Sequence, residues 1–324
     1  MGKPLVSICI PTYNRVDALK RCVDSIVRNK YYNPESIEIV ISDNCSTDGT
    51  QAYVQSIATN KDYNIVYNRN ANNIGGDLNF IKVLTIANGV FKKLLNDYSM
   101  FTEQGLSVLL DLVKLYEPSR TLLFFSIREK EPFSYMKCDD MDSFVDVVAT
   151  DTCWIGSYGF WDEDFDGLEN KEIMVESKFM QIDWILRLIK KKRRTIVCCG
   201  GLTSRGQLTT NYGDYNFVRL YTQSYPKLFL PYFDSGDITK ATYERLMKRL
   251  LMMLVRWTFK LKYDNTNLTF ESSDTLSLLN NCFKSYNWYY PYLIVYSARF
   301  SIKHILKRLD LYKVFARFVK KRKF

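Results

Sequence analysis

The sequence predicts an α/β protein, with a doubly wound, mostly parallel sheet flanked by helices and a helical C-terminal extension. Three observations carry this. Short apolar runs alternate with segments of helical periodicity from Val6 to Cys199. The first run, residues 6–10, is short, apolar and ended by Pro11, as befits a central parallel strand. Beyond Asp237 the pattern turns helical.

The elements follow in order. Residues 6–10 form a strand ended by Pro11, and Val16, Leu19, Val23 and Ile26 recur at helical spacing. Residues 37–42 form the second strand. Ser46 or Thr47 is placed to cap a helix carrying Tyr53, Ile57 and Ala58. Residues 64–67 are a third strand, and a polar, glycine-containing break leads to a helix with Leu78, Ile81, Leu84 and Ala87. Residues 91–95 are a fourth strand, running into Asn96-Asp97-Tyr98-Ser99 and a helix from about Thr102 to Tyr116. Residues 121–126 are a fifth. Residues 130–175 are irregular, acidic and aromatic, and read as insertion loops. An amphipathic helix over 180–190 precedes a strand at 195–199 and a polar loop at 204–215. Helix resumes over 239–262, followed by a polar gap at 265–267 and further helices. A composition break near residue 230 divides the chain into 1–230 and 231–324.

The net charge of +10 is local. Residues 299–324 hold ten basic side chains against Asp310 alone, a net of +9, which leaves about +1 for residues 1–298. The body of the protein is therefore not coated for nucleic acid, and no nucleic-acid partner is expected. The tail intersperses Leu306, Leu309, Val314, Phe315, Phe318 and Val319 with the lysines and arginines, after Trp288, Tyr289, Tyr290 and Tyr292. This suits an anionic membrane surface; a solvated charged face and an RNA contact are the alternatives. The eight cysteines include no CxxC pair, and the single histidine, His304, is in the tail, so a reducing compartment is expected and a zinc site is not. Gly2-Lys3-Pro4 leads directly into a strand, and no run reaches the ~18 apolar residues of a spanning helix. The expected location is cytoplasmic, peripheral on the inner face of the cell membrane.

Two polar clusters, Pro11-Thr12-Tyr13-Asn14-Arg15 and Asp43-Asn44-Cys45-Ser46-Thr47-Asp48-Gly49-Thr50, sit at the carboxyl ends of the first two strands. In an open α/β sheet that edge binds ligands. Tyr13 and nearby backbone groups suit a nucleobase and ribose; the plain alternative is a turn in which Asn14 caps a helix. Asp43 is placed to accept from a base N–H, as uracil or thymine offers, or to cap Ser46 or Thr47. Asp48, beside Gly49, reads as a first-turn helix acid. In Asn73-Ile74-Gly75-Gly76-Asp77-Leu78-Asn79 the glycines allow close backbone approach at a helix N-terminus; a flexible turn is the alternative.

VSICIPTYNR, IEIVISDNCSTDGT and NNIGGDLNF, in that order, resemble the inverting family 2 glycosyltransferases, over roughly residues 4–210. Within them the chain is most similar to bacterial transferases of the abequosyltransferase type, which build O-antigen and capsule repeat units. The resemblance implies a GT-A, Rossmann-like fold and a nucleoside-diphosphate sugar donor. It places Pro11, Thr12, Tyr13, Asn14, Arg15, Asp43, Asn73, Asp77 and Asn79 at the donor. It implies Asp183 as the general base; Gln181-Ile182 depart from the family's acidic pair, a solvent-facing acid is the alternative, and Glu176 is the reserve. It also implies a loop near Arg205 that closes over the diphosphate; an ordinary surface arginine is the alternative. A lipid-linked (undecaprenyl-diphosphate) glycan is the implied acceptor.

The chain departs from the family at Asn96–Ser99. The family ends its fourth strand in Asp-x-Asp, whose carboxylates hold Mg²⁺ or Mn²⁺ against the diphosphate. Here Asp97 and Ser99 take those places if Asp97 aligns with the first Asp, and a one-residue shift gives Asn96 and Tyr98, with no carboxylate in either place; loss of a carboxylate weakens the metal. Weak metal use, basic side chains in place of metal, and loss of transfer with donor binding retained are the three outcomes.

Overall fold

Residues Val6–Thr12 are all buried and form the central strand β1. The computed structural model describes residues 2–126, 133–192, 194–206, 215–263, 271 and 273–308. Two compact units divide the chain, Met1–Leu208 and Thr209–Phe324, so the composition break near residue 230 falls inside the second.

The first unit continues through α1 (Val16–Val27), β2 (Ile37–Asp43), α2 (Thr50–Ala58), β3 (Ile65–Arg69), α3 (Gly76–Thr85), β4 (Phe91–Leu94) and β5 (Ser99–Phe101). Then come α4 (Glu103–Tyr116), β6 (Leu122–Phe125), β7 (Ser134–Cys138), α5 (Met141–Val148), β8 (Gly159–Trp161), α6 (Asp162–Asp166), α7 (Met180–Lys192), β9 (Thr195–Cys199) and β10 (Thr203–Arg205). The main sheet has the order β3-β2-β1-β4-β8. Its first four strands are parallel and β8 is antiparallel to β4. A second sheet, β6-β9-β7, meets it through one bridge, Phe124 to Tyr158. β10 pairs with β5. Helix α1 buries Ala18, Leu19, Cys22, Val23 and Ile26, the stripe its spacing predicts, in a core shared with Ile8, Ile10, Ile39, Ile41, Leu106 and Leu109.

Several expectations are corrected. β1 runs past Pro11 to Thr12, because β4 pairs with it only as far as Cys9; the proline, with no N–H to give, lies where that side is open. Residues 130–175 are not merely loops: they contribute β7, α5, β8 and α6. Helix α5 opens with a reciprocal cap, Ser143 N donating to Asp140 Oδ1 at 2.8 Å and Asp140 N to Ser143 Oγ at 3.3 Å. The expected polar loop at 204–215 begins as β10.

Strand β4 buries two consecutive lysines. Lys92 reaches Asp166 at 2.7 Å. Lys93 points to the other face, where its Nζ donates to the carbonyls of Leu94 (2.8 Å), Gly156 and Tyr158 (3.3 Å). Burial pushes the Lys93 amine down to about 7. All eight cysteines are free thiols.

The second unit is helical: α8 (Phe217–Gln223), α9 (Tyr225–Asp234), α10 (Lys240–Tyr263), α11 (Thr275–Phe283) and α12 (Tyr289–Arg308). Aromatic side chains fill it. Tyr221, Tyr225 and Phe229 pack in series, and Phe283 stacks on Tyr289 at 5.9 Å. Helix α12 packs on α10, yet Tyr290, Ile294, Val295 and Ile302 face solvent. Among the described residues no helix is long and apolar enough to cross a membrane. The polar gap at 265–267 and most of the basic tail, 309–324, lie outside the described residues.

Candidate active site

The parallel strands deliver their polar ends to one edge. Asn14, at φ 50°, ties the two leading loops together. Its backbone N–H donates to Ser46 Oγ at 2.9 Å, and its Oδ1 accepts from Thr47 N at 2.7 Å. Asp48 completes the junction. One oxygen accepts from Val16 N at 2.8 Å, capping α1 from another loop, and the other accepts from Thr50 Oγ1 at 2.6 Å at the start of α2. Burial would raise the Asp48 carboxyl, but the bonds from Thr50 and Val16 outweigh it and hold it below its usual value. Asn14 therefore does not cap α1, and Ser46 and Thr47 do not cap α2, whose N-cap is Gly49. Tyr13 stands out from the junction, 42 % exposed.

Asp43 is fully buried. Its Oδ1 accepts from Ser46 N at 2.8 Å, its Oδ2 from Tyr67 OH at 2.9 Å, and Arg69 Nε lies 3.7 Å from Oδ2. The third cluster is similarly knitted. Asn79 bonds Ser42 twice, at 2.7 and 2.9 Å. Asn73 Oδ1 accepts from Asn44 Nδ2 at 2.7 Å, while Asn44 Oδ1 accepts from Ile74 N at 3.0 Å. Gly75, at φ +86°, precedes α3 and suits only glycine there. Asp77, in the first turn of α3, meets Lys178 at 3.2 Å. Burial pushes the Asp77 carboxyl up, against Lys178.

Beyond β4, the structure brings three predicted residues together. Thr12 Oγ1 donates to Asp97 Oδ2 at 2.9 Å, and Arg15 Nη1 donates to Asp97 Oδ1 at 3.3 Å. Asp97 is buried, and burial raises its carboxyl against the opposing pull of Arg15. The Arg15 guanidinium lies 5.8 Å from the centre of the Tyr98 ring, whose edge-on neighbour is Trp154. Trp154, Ser126, Gly156 and Thr203 line a small cavity beside this cluster.

Asp183 lies in the first turn of α7. Arg187, one turn on, is its ion-pair partner at 2.9 Å. Burial pushes the Asp183 carboxyl up, and Arg187 opposes the shift. Helix α7 is referred to the sheet edge by Lys178, two residues before its start, through the pair with Asp77. Arg205 pairs with Ser99 through the backbone, and its side chain lies outside the described residues.

Comparison with known proteins assigns a family to part of the chain. Residues 7–164 match the model of glycosyl transferase family 2. Those residues are a family 2 glycosyltransferase domain. Abequosyltransferase RfbV of Salmonella typhimurium is 38 % identical over 105 residues, which is 32 % of this chain and 31 % of that protein. The chain spans about a third of the length of the curated relatives it matches. Among solved structures, S. aureus TarS 1-349 in complex with UDP superposes with a TM-score of 0.56 at 11 % identity, covering 93 % of this chain and 91 % of that one. The mannosyltransferase PcManGT of Pyrobaculum calidifontis, with GDP-Man and Mn²⁺, gives 0.51 at 15 % identity, covering 95 % and 88 %. The fold is GT-A, as the sequence predicts.

The glycosyltransferase domain does not present the donor set of a family metal site. A hard divalent cation takes about six oxygens and favours anionic ones. Of Asn96–Ser99 only Asp97 is anionic, and both of its oxygens are engaged by Thr12 and Arg15. Ser99 contributes a neutral hydroxyl. Among the described residues no three His, Cys, Asp or Glu side chains come together to hold a metal. Asp97 and Ser99 therefore do not fit the metal-binding role the resemblance implies.

Sequence reasoning missed Asp48 as the clasp of α1, Tyr67 and Arg69 as partners of Asp43, and Trp154 and Lys178 at the edge. None of them had a local signal: Asp48 and Val16 meet across 32 positions, Lys178 and Asp77 across 101.

Proposed function

We propose that the protein is an inverting glycosyltransferase of bacterial surface polysaccharide synthesis. It moves a sugar from a nucleoside-diphosphate donor to a hydroxyl of a lipid-linked glycan. The supporting observation is the convergence of Thr12, Arg15 and Asp97 beside the joined loops of β1 and β2, at the sheet edge where α/β folds bind nucleotides. Exposed Tyr13 offers a face for the base. Asp43 is fully buried, so it reaches the base only if the turn at Ser46 moves, and it acts first by shaping that turn. Asp183 takes the proton of the attacking hydroxyl as its oxygen bonds to the anomeric carbon, and the nucleoside diphosphate departs from the opposite face.

A thermal-shift screen of nucleotide-sugars, followed by product analysis, tests this. One donor is expected to raise Tm and to be consumed with an acceptor. A donor that binds but is never transferred or hydrolysed, with or without Mn²⁺, marks a catalytically impaired binding protein of the same fold. The absence of charge at Ser99 favours that second reading.

An anionic membrane surface on the cytoplasmic side is the other partner. Its support is the +9 of residues 299–324 together with the solvent-facing Tyr290, Ile294, Val295 and Ile302 of α12. The full chain is expected to sediment with phosphatidylglycerol vesicles and not with phosphatidylcholine ones. Deleting 299–324 is expected to abolish this; unchanged sedimentation discards the assignment.

A further inference from the structure

Breaking the bond from sugar to diphosphate leaves negative charge that a transferase must offset. In this domain the metal-binding carboxylates are absent, and what stands at the end of β4 is the opposite kind of group. Ser99 Oγ and Asn96 Nδ2 are both buried and both lack a hydrogen-bond partner. Ser99 is 1 % exposed and Asn96 8 %. An amide nitrogen donates only, and a hydroxyl can donate. Buried donors without partners are costly and uncommon in a folded protein, and they are what an anionic oxygen needs. Asp97, which lies between them in the sequence, pairs with a permanent positive charge, Arg15, whose side chain remains 29 % exposed.

We infer that Arg15, with Asn96 and Ser99, holds the donor diphosphate, and that the domain binds its nucleotide without a divalent cation. This rests on the reading of the site as a nucleotide-sugar site. Asp97 then has a changed task. It is a positioning residue: its carboxylate, fixed by Thr12, holds the Arg15 guanidinium at the strand edge and carries no metal. Arginine suits this task because its planar fork lets one edge face a carboxylate while another faces a phosphate. Tyr98 backs the guanidinium with its ring.

Isothermal titration with UDP, dTDP, CDP and GDP, each in EDTA and again in Mn²⁺, tests the inference. At least one is expected to bind with the same Kd under both conditions. Arg15→Lys is expected to weaken that diphosphate by about tenfold while leaving the affinity for the matching nucleoside unchanged. The double variant Arg15→Gln/Asp97→Asn removes both charges together, leaves no lone buried carboxylate, and is expected to lose diphosphate affinity at least as strongly. Ser99→Asp is expected to make binding depend on Mn²⁺. Wild-type binding seen only with metal overturns this inference and leaves the donor reading intact, as does undiminished affinity in both Arg15 variants. No binding of any diphosphate under either condition overturns the donor reading and this inference with it.

Discussion

Asp183→Asn is expected to lower transfer by about 10²–10⁴-fold while leaving donor binding unchanged. The substitution keeps the side chain's shape and removes only its ability to take a proton. Burial raises the Asp183 carboxyl, which moves it toward the working pH of a general base; Arg187 opposes that shift and fixes the side chain's direction. The sign of the pH dependence follows. The base acts when deprotonated, so kcat/KM rises with pH through a value raised above that of an ordinary aspartate. Arg187→Gln removes the opposing charge and is expected to move that limb higher still. Rate profiles of the three proteins check this. Retained turnover in Asp183→Asn moves the base elsewhere, with Glu176 next in line.

The second large effect lies away from the chemistry. Gly105→Ala is expected to destabilise the glycosyltransferase domain by about 3 kcal/mol or more, at the upper end of overpacking costs. A Cβ there would stand 1.9 Å from the backbone oxygen of Leu202 and 2.6 Å from its carbonyl carbon. Backbone gives way less readily than the far end of a side chain. That oxygen also accepts from Thr102 N at 3.1 Å, and Thr102 Oγ1 donates to Gly201 O at 2.8 Å while capping α4. The start of α4 is thus pressed against the turn that leads into β10. Displacing that turn shifts Arg205 relative to Ser99 and opens the end of β4. Urea unfolding measures the loss, and donor affinity is expected to fall in the folded fraction as well. A variant as stable as the wild type removes this account of the turn.

The sequence made some of this visible for physical reasons. β1 and β2 were legible because a strand buried on both faces is rich in apolar residues, and α1 because Leu19, Val23 and Ile26 keep helical spacing. β8 was not, since Gly-Phe-Trp is too short for any period to register, and its strand character comes from lying against β4. Helix α5 carries its signal in Met141, Phe144, Val145 and Val148 at helical spacing behind the Asp140–Ser143 cap, set within an acidic and aromatic stretch. At the site, Thr12, Arg15 and Asp97 could be named singly, but their meeting depends on β1 and β4 being neighbours, which no local pattern encodes. Lys92 and Lys93 show the converse: two charges in a row argue against a central strand, yet each found partners on its own face.

The clasp of Asn14 and Asp48 bears on recognition rather than architecture. Two loops that must both meet one ligand usually order themselves on contact, and that loss of freedom weakens affinity. Here the bonds from Asn14 to Ser46 and Thr47, and from Val16 to Asp48, join the loops within the apo chain. Their conformational entropy is surrendered when the domain folds. Under the proposed function a nucleotide meets a cleft that is already joined, and what it gains from each contact goes into holding it.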